Sequence, residues 1–371
     1  MRCKLRRLDG FAALEMPRPF VSVLIDTYNH ERFIEQAIRS ALEQDFPASS
    51  REILVVDDGS QDRTPEIAAR FAPQVRLIRK DNGGQASAFN AGIPECQGGI
   101  VAFLDGDDWW APGKLKLMVA AFTENPEVGL VGHSITEVLA DGARRSELVR
   151  ESPRFRMDSA AGARIFRRRK SFLGTSRMAF RPDLLRRIGP VPASLTIQAD
   201  EFLFTLGALF SEVLLLREPL TFYRLHGQNL FQVSDGSRAS LQRKHDVLVS
   251  LTEALRNRFA DEHVPADVSN VVLESLKNES DALALCLYGG SPVATIRNEL
   301  LNYRITQENA SPFRWFLKYM SLFPALFLTP GQYAALKQKV ASNSLYRKLR
   351  RKVLPSFQPP HVDRTGDWSP R

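Results

Sequence analysis

Cysteine is scarce in this chain of 371 residues. The three cysteines are far apart and form no CxxC pair, which excludes a disulfide framework and argues against a zinc site. They are Cys3, Cys96 and Cys286. With so few thiols, a reducing, cytoplasmic compartment is expected.

Long apolar segments are lacking as well. The most apolar stretch, residues 315–328, contains Lys318 and Pro324, and it is shorter than the roughly 18 to 20 residues that a spanning helix needs. The basic N-terminus has no apolar run long enough for a secretion signal. The sequence therefore predicts neither a transmembrane span nor a signal peptide.

Two nucleotide-binding motifs are absent. The chain contains neither GxGxxG nor the P-loop pattern that ends in Gly-Lys-Ser/Thr. Their absence argues against a dinucleotide-dependent enzyme and an ordinary nucleoside triphosphatase.

Acidic residues are rare at the two ends. The formal net charge is +8, but residues 311–371 carry eleven Lys and Arg against two Asp and Glu, and residues 1–7 carry four basic residues and no acid. The rest of the chain has a slight excess of acid. Nucleic-acid binding through the basic tail is one interpretation, but only charge supports it, so no nucleic-acid partner is expected.

The N-terminal half shows a regular alternation of two periods. Apolar, β-branched runs alternate with segments whose apolar residues recur every three or four positions. Strands are predicted at 20–26, 52–56, 75–79 and 99–104, and helices at 31–44, 64–72 and 85–93. Such alternation predicts right-handed βαβ units and a mainly parallel sheet with helices on both faces.

The second half is less regular. A strand is predicted at 128–140, a strand-like segment at 172–180, helices at 182–188 and 198–210, and only helices after 238. This organisation predicts a basic N-terminal extension (1–18), a catalytic domain (19–235), a helical region (236–355) and a flexible tail (356–371).

Polar and acidic residues follow the predicted strands, beyond whose carboxyl ends ligands bind in such sheets. Asp105 and Asp107 lie two positions apart after the strand at 99–104 and can face one ligand. Two close carboxylates repel each other unless a cation lies between them, and Mg²⁺ or Mn²⁺ is the usual choice. An ordinary turn rich in Asp and Gly is the alternative.

Four segments resemble, in order, those of the inverting glycosyltransferases of family 2. They are SVLIDTYNHERFIEQAIRSALEQ, EILVVDDGSQDRT, DNGGQASAFNAG and FLDGDDWW. The likeness is looser from about 170 to 230 and absent beyond about 235. It implies an α/β, GT-A fold with a helical C-terminal extension. It also implies a nucleoside diphosphate sugar donor, with a UDP-sugar favoured, and a hydroxyl of a saccharide or lipid-linked acceptor.

The resemblance implies nine contacts to the nucleotide sugar. Tyr28 would lie beside the base, Asp105 would contact the ribose, and Asp58 is preferred over Asp57 for the base or ribose. The full set is Thr27, Tyr28, Asn29, Asp57, Asp58, Asn82, Gly83, Asp105 and Gly106. A catalytically inactive nucleotide-sugar-binding module would use the same residues.

The resemblance also implies a metal site and a catalytic base. Asp107, and His226 in the segment YRLHGQN, would hold Mn²⁺ or Mg²⁺ on the diphosphate. The base would be an acid at the head of a later helix, here Asp200, with Glu201 as the alternative. Asp26 stands where the family more often has Pro, which is expected to alter local rigidity.

The C-terminal segments 312–328 and 345–353 combine apolar and basic residues. One interpretation is an element that lies on an anionic membrane, which would make the protein peripheral at the inner face. The other is a helical cap on the catalytic domain, followed by a solvated tail.

Overall fold

The computed structural model of the chain describes residues 20–149, 151–226, 237–307 and 310–342. The predicted N-terminal extension, the basic segment 345–353, the predicted tail and residues 227–229 of the YRLHGQN segment lie outside this part.

Described strands form one mixed sheet. They are β1 (Val21–Thr27), β2 (Arg51–Asp57), β3 (Arg76–Arg79), β4 (Ile100–Asp105), β5 (Trp109–Trp110), β6 (Val128–Val138), β7 (Arg144–Glu147), β8 (Arg154–Phe155), β9 (Ala179–Phe180) and β10 (Glu212–Arg224). The main order is β3-β2-β1-β4-β9-β6-β10-β5, with β7 on β6 and β8 on β10.

Helices cover this sheet and continue beyond it. They are α1 (Ile34–Leu42), α2 (Thr64–Ala69), α3 (Gln85–Gly92), α4 (Lys114–Glu124), α5 (Ala160–Arg169), α6 (Pro182–Ile188), α7 (Ala199–Phe210), α8 (Arg238–Asp261), α9 (Ala266–Tyr288), α10 (Pro292–Thr306), α11 (Pro312–Ser321) and α12 (Pro330–Ser342). The predicted α/β class and the helical C-terminal region are confirmed.

The central strands are apolar because both faces of the sheet are covered. Successive residues of β1 alternate between two cores: Val23 packs with α1 and α4, whereas Leu24 packs on the opposite face with α3 and α7. The second core extends into α8 and α9. This double burial explains why β1, β2 and β4 were easy to predict.

Strand direction brings distant residues to one edge. β1 pairs in parallel with β2 and β4, and β6 pairs in parallel with β10. β9 is antiparallel to both β4 and β6, so β10 runs in the same direction as β4. The carboxyl ends of β1, β2, β4 and β10 therefore lie at the same edge.

The structure differs from the sequence prediction at two places: residues 172–180 do not form one strand, and β10 was not predicted. The segment contains two 3-10 turns, the first ending at Phe172 and the second at Thr175–Arg177, and only Ala179 and Phe180 lie in a strand. The long strand β10 escaped notice because polar residues and Pro219 interrupt its apolar pattern, where its pairing with β6 shifts register.

The C-terminal helices pack on one another and on α5. α8 packs on α9, and α9 contacts α5, α10 and α12. Within the described ranges, no helix is both long enough and apolar enough to cross a bilayer.

Candidate active site

Three aspartates follow the carboxyl end of β4. Carboxylate oxygens of Asp105, Asp107 and Asp108 all lie within 4.8 Å of one another. Asp108 is fully buried; one oxygen accepts a hydrogen bond from the backbone N–H of Arg224 at 2.8 Å, and the other has no hydrogen-bond partner. Because a buried carboxylate oxygen without a partner is costly, this cluster is suited to a positive ligand.

His226 reaches the same cluster from the end of β10. Its Nε2 lies 2.9 Å from Oδ2 of Asp107, and its ring stacks on Phe33 with centroids 4.8 Å apart. The structure thus brings together the two residues that the sequence predicted as metal ligands, although 119 positions separate them.

His30 is a member of this cluster that sequence reasoning missed. Its Nε2 lies 3.9 Å from Oδ2 of Asp107, and its Nδ1 is 3.2 Å from the hydroxyl of Thr27. Burial lowers the pKa of His30, which favours a neutral imidazole. The signal that was available is its position, three residues past the end of β1.

The pKa values of the three aspartates are shifted in different directions. Burial, followed by repulsion from neighbouring carboxylates, raises the pKa of Asp105 and Asp108 well above the usual range. For Asp107 burial acts the same way, but the hydrogen bond from His226 and the nearby imidazoles outweigh it, and its pKa is lowered. Asp107 therefore remains ionised beside two carboxyl groups whose protonated, neutral form is favoured.

The residues present fit a small divalent cation. In octahedral Mg²⁺ coordination each ligand lies about 2.0 to 2.1 Å from the ion, so adjacent ligands are about 3 Å apart. Oδ2 of Asp107 and Nε2 of His226 have that separation, at 2.9 Å. Carboxylates with an imidazole are also ordinary ligands of Mn²⁺.

Arg224, a second residue that sequence reasoning missed, braces the cluster. Its Nε donates a hydrogen bond to the backbone carbonyl of Asp107 at 2.9 Å. Its guanidinium lies over the rings of Trp109 and Phe33, 4.5 and 4.6 Å from their centroids. These contacts fix the loop after β4 against β10 and α1.

Asp58 organises the loop after β3. Its carboxylate accepts hydrogen bonds from Nζ of Lys80 at 2.6 Å, from the backbone N–H of Gly84 at 2.6 Å and from that of Gly83 at 3.2 Å. Asp57, fully buried, accepts a bond from the N–H of Ser60 at 3.3 Å. The structure therefore places Asp57, Asp58 and Gly83 together, and the carboxylates hold neighbouring backbone.

The other predicted nucleotide contacts lie along the same edge. Tyr28 is 36% exposed there, and the side-chain oxygen of Asn29 accepts a hydrogen bond from the N–H of Gln61 at 2.8 Å. A Cβ at Gly106 would lie 2.5 Å from the hydroxyl of Thr27, so there is no room for a side chain at this position.

Asn82 lies against the loop that follows β2. A Cβ at Gly59 would lie 2.6 Å from the backbone nitrogen of Asn82, and Gly59 has φ 77°. Only glycine both lacks a Cβ and readily adopts a positive φ. The loops after β2 and β3 therefore contact each other through their backbones.

Asp200 and Glu201 lie in the first turn of α7, but their surroundings differ. The Oδ2 of Asp200 accepts hydrogen bonds from the N–H and the hydroxyl of Thr175, at 3.1 and 3.3 Å. Glu201 is buried and forms an ion pair of 2.5 Å with Nζ of Lys170. Burial and then the charge of Glu201 raise the pKa of Asp200.

The turn at residues 175–177 connects Asp200 to Asp105. Thr175 binds Asp200, while the hydroxyl of the next residue, Ser176, accepts a bond from the N–H of Asp105 at 3.0 Å and donates one to its Oδ2 at 3.3 Å. The charge of Asp200 contributes to the raised pKa of Asp105. The two acids are therefore close enough to interact electrostatically.

Gln85 fixes the head of α7 against α3. Its side-chain oxygen accepts a hydrogen bond from the N–H of Ala199 at 3.0 Å, and its amide donates one to the hydroxyl of Thr175 at 3.0 Å. Its own N–H donates to the carbonyl of Thr196 at 2.9 Å. These bonds position the adjacent Asp200.

Asp26 is a further carboxyl group near Asp107 and Asp200. Its role is therefore not limited to the expected effect on backbone rigidity. It is the register partner of Asp105 in the sheet, and its Oδ1 is buried without a hydrogen-bond partner. Burial, with the charges of Asp107 and Asp200, raises its pKa to about 8. Asp26 is therefore expected to be protonated at neutral pH.

Asp26→Asn is expected to remove a pH dependence of stability. Between pH 4 and 8 the folded protein keeps a proton on Asp26 that the unfolded chain has released, so wild-type stability falls as pH rises through this window. We expect the variant to gain about 4 kcal/mol over wild type between pH 5 and 8.5, roughly 1.4 kcal/mol for each pH unit below the folded-state pKa. Urea unfolding of both proteins in EDTA measures this, and parallel pH profiles would contradict it.

Comparison with known proteins gives consistent matches. The family model for glycosyl transferase family 2 matches residues 22–189. An uncharacterized glycosyltransferase from Nostoc sp. is 30% identical over 244 residues, which cover 64% of this chain and 75% of the relative. The glycosyltransferase AglE from Haloferax volcanii is 32% identical over 187 residues, 49% of this chain and 59% of AglE.

Solved structures share the fold. TarS residues 1–349 from S. aureus, crystallised with UDP-GlcNAc, gives a TM-score of 0.54 at 18% identity, covering 82% of this chain and 90% of TarS 1–349. The mannosyltransferase PcManGT from Pyrobaculum calidifontis, in complex with GDP-Man and Mn²⁺, gives 0.51 at 21% identity, covering 90% and 84%. These structures show that the chain has a fold of the GT-A type. The chain belongs to glycosyltransferase family 2.

Proposed function

We propose that this glycosyltransferase inverts the anomeric centre as it moves a sugar from a nucleoside diphosphate sugar to a hydroxyl group of a saccharide or lipid-linked acceptor. The observation that carries the proposal is the convergence of Asp107 and His226, 2.9 Å apart, beside Asp105, whose pKa the charge of Asp200 helps to raise. Such a transfer needs a cation on the diphosphate and a separate base, and these residues could supply both.

The donor is bound along the carboxyl ends of β1, β2 and β4. Tyr28 contacts the base, Asp58 and the loop at Asn82 and Gly83 form the wall of the nucleotide pocket, and Asp105 contacts the ribose. Asp107 and His226 hold Mn²⁺ or Mg²⁺, which when bound stabilises the negative charge of the departing diphosphate. The ligands of TarS and PcManGT support a nucleoside diphosphate sugar donor, and a UDP-sugar is favoured.

Asp200 acts on the acceptor as general base. Its carboxylate takes the proton of the acceptor hydroxyl while that oxygen bonds to the anomeric carbon and the bond from this carbon to the diphosphate breaks. The hydrogen bonds from Thr175 hold Asp200 in place. Glu201 is less suited to this role because Lys170 already neutralises it.

The organisation of the chain fits this reaction. We assign the transfer to a catalytic domain at residues 19–235 and treat residues 236–355 as a helical region, with extensions at 1–18 and 356–371. A lipid-linked acceptor would place the enzyme at the cytoplasmic face of a membrane, as a peripheral protein.

A panel of nucleotide sugars with Mn²⁺ or Mg²⁺ tests the proposal. We expect one donor to bind and to be hydrolysed slowly without acceptor, and we expect EDTA to abolish hydrolysis until metal is restored. Donor binding is read by calorimetry and hydrolysis by release of the nucleoside diphosphate. Activity that EDTA leaves unchanged would rule out the metal role, and binding without any turnover would favour an inactive module.

A further inference from the structure

Five bulky apolar side chains form an exposed row on α11 and the turn that follows it. The five are 57 to 74% exposed and recur at spacings of three and four residues. We call them the C-terminal apolar patch, which consists of Phe313, Phe316, Met320, Phe323 and Phe327. Single exposed apolar residues are normal, but a contiguous row of this size usually marks an interaction surface.

The opposite side of this segment is fixed to the protein. Trp315 packs edge-on against Tyr303 of α10 with ring centroids 4.8 Å apart. Lys318 forms an ion pair of 2.6 Å with Glu299 of α10, and both side chains are largely shielded from water. The charged side of α11 therefore faces inward and its apolar side faces outward, the reverse of an ordinary surface helix.

The residues that follow α11 are also packed against the protein, which keeps the patch facing outward. Leu322 and Ala325 are buried against Tyr333 of α12. Lys337 of α12 reaches the same glutamate, with its Nζ 2.5 Å from the carboxylate of Glu299. Since α10, α11 and α12 meet at one acid, the patch is held on a preformed surface.

The sequence that carries the patch is basic, which favours an anionic partner. Residues 310–355 contain nine Lys and Arg and no Asp or Glu. Arg314 and Lys339 belong to this set and lie in the described helices α11 and α12. A second copy of the chain would bring like charges together, whereas anionic lipid headgroups attract them.

We propose that the C-terminal apolar patch inserts into the headgroup region of an anionic membrane, to which the basic charge of this part of the sequence attracts it. Aromatic side chains on one face of a helix and cations around it are the elements of an interfacial helix. This inference goes beyond the proposed reaction and does not depend on it.

Flotation of the full chain with lipid vesicles tests this surface. We expect wild-type protein to float with vesicles that contain phosphatidylglycerol and to float at least tenfold less with pure phosphatidylcholine. Phe316→Ser combined with Phe323→Ser is expected to lower the bound fraction at least tenfold. Because both side chains are already exposed, the variant should retain its fold, which circular dichroism checks.

A matched control variant, donor hydrolysis and sedimentation distinguish membrane binding from the other outcomes. Leu148→Ser combined with Val249→Ser removes two exposed apolar residues outside the patch and is expected to float like wild type. Donor hydrolysis should be unchanged in the patch variant, so failure of the surface and failure of the reaction are distinguishable. The proposal is overturned if wild type does not float, if the patch variant floats equally well, or if the patch instead supports a dimer in sedimentation.

Discussion

Asp200→Asn is expected to lower kcat for glycosyl transfer by about 10³-fold with donor affinity unchanged, because asparagine keeps the shape of the side chain but cannot accept the proton. Asp200 touches the turn at Thr175 rather than the metal ligands, so the nucleotide pocket should be undisturbed. Single-turnover transfer and calorimetric donor binding measure the two quantities separately.

Glu201→Gln is the matched control because it makes the same chemical change one residue later. Glu201→Gln is expected to lower the stability of the fold, since it leaves the partly buried ammonium of Lys170 without its partner in the ion pair. The folded variant should keep kcat within about tenfold of wild type, below the effect expected for loss of a general base. If Glu201→Gln lowered kcat more than Asp200→Asn does, the base would be Glu201.

Asp107→Asn is expected to lower kcat/KM by about 10³-fold and to weaken Mn²⁺ binding. Asp107 is the carboxylate that its imidazole neighbours keep ionised, and an amide oxygen offers no charge to the metal. Titration of the protein with Mn²⁺ by calorimetry, in the presence of donor, reads the site directly.

Asp45→Asn serves as the control for this variant. Asp45 carries an ordinary surface carboxylate, with a side chain that is 77% exposed, and its substitution should change neither metal binding nor rate. Retention of wild-type Mn²⁺ affinity by the Asp107 variant would remove Asp107 from the metal site, whatever its activity.

Elements with an unbroken pattern were predictable from the sequence. β1, β2 and β4 are buried on both faces, so their apolar runs stand out and place Thr27, Asp57 and Asp105 at strand ends. The direction of β10 was not accessible, because its pattern breaks around Pro219. The approach of His226 to Asp107 was therefore expected only from the resemblance to family 2.

Contacts between distant segments account for the rest of the site. Arg224 supports Asp107 across the sheet, and Lys170 pairs with Glu201 from a preceding turn. Neither pairing leaves a local periodicity that sequence reasoning can detect. The turn at residues 175–177 was misread as strand because its apolar neighbours dominate the pattern, although its hydroxyl groups bind Asp105 and Asp200.

That turn has a consequence for how the enzyme can be altered. Thr175 and Ser176 are neighbours in the chain, so a single peptide unit links the hydrogen bonds made to Asp200 with those made to Asp105. A change of backbone conformation there would disturb the hydrogen bonds of both acids at once. Variants designed to alter the surroundings of Asp200 alone should therefore leave Thr175 and Ser176 unchanged.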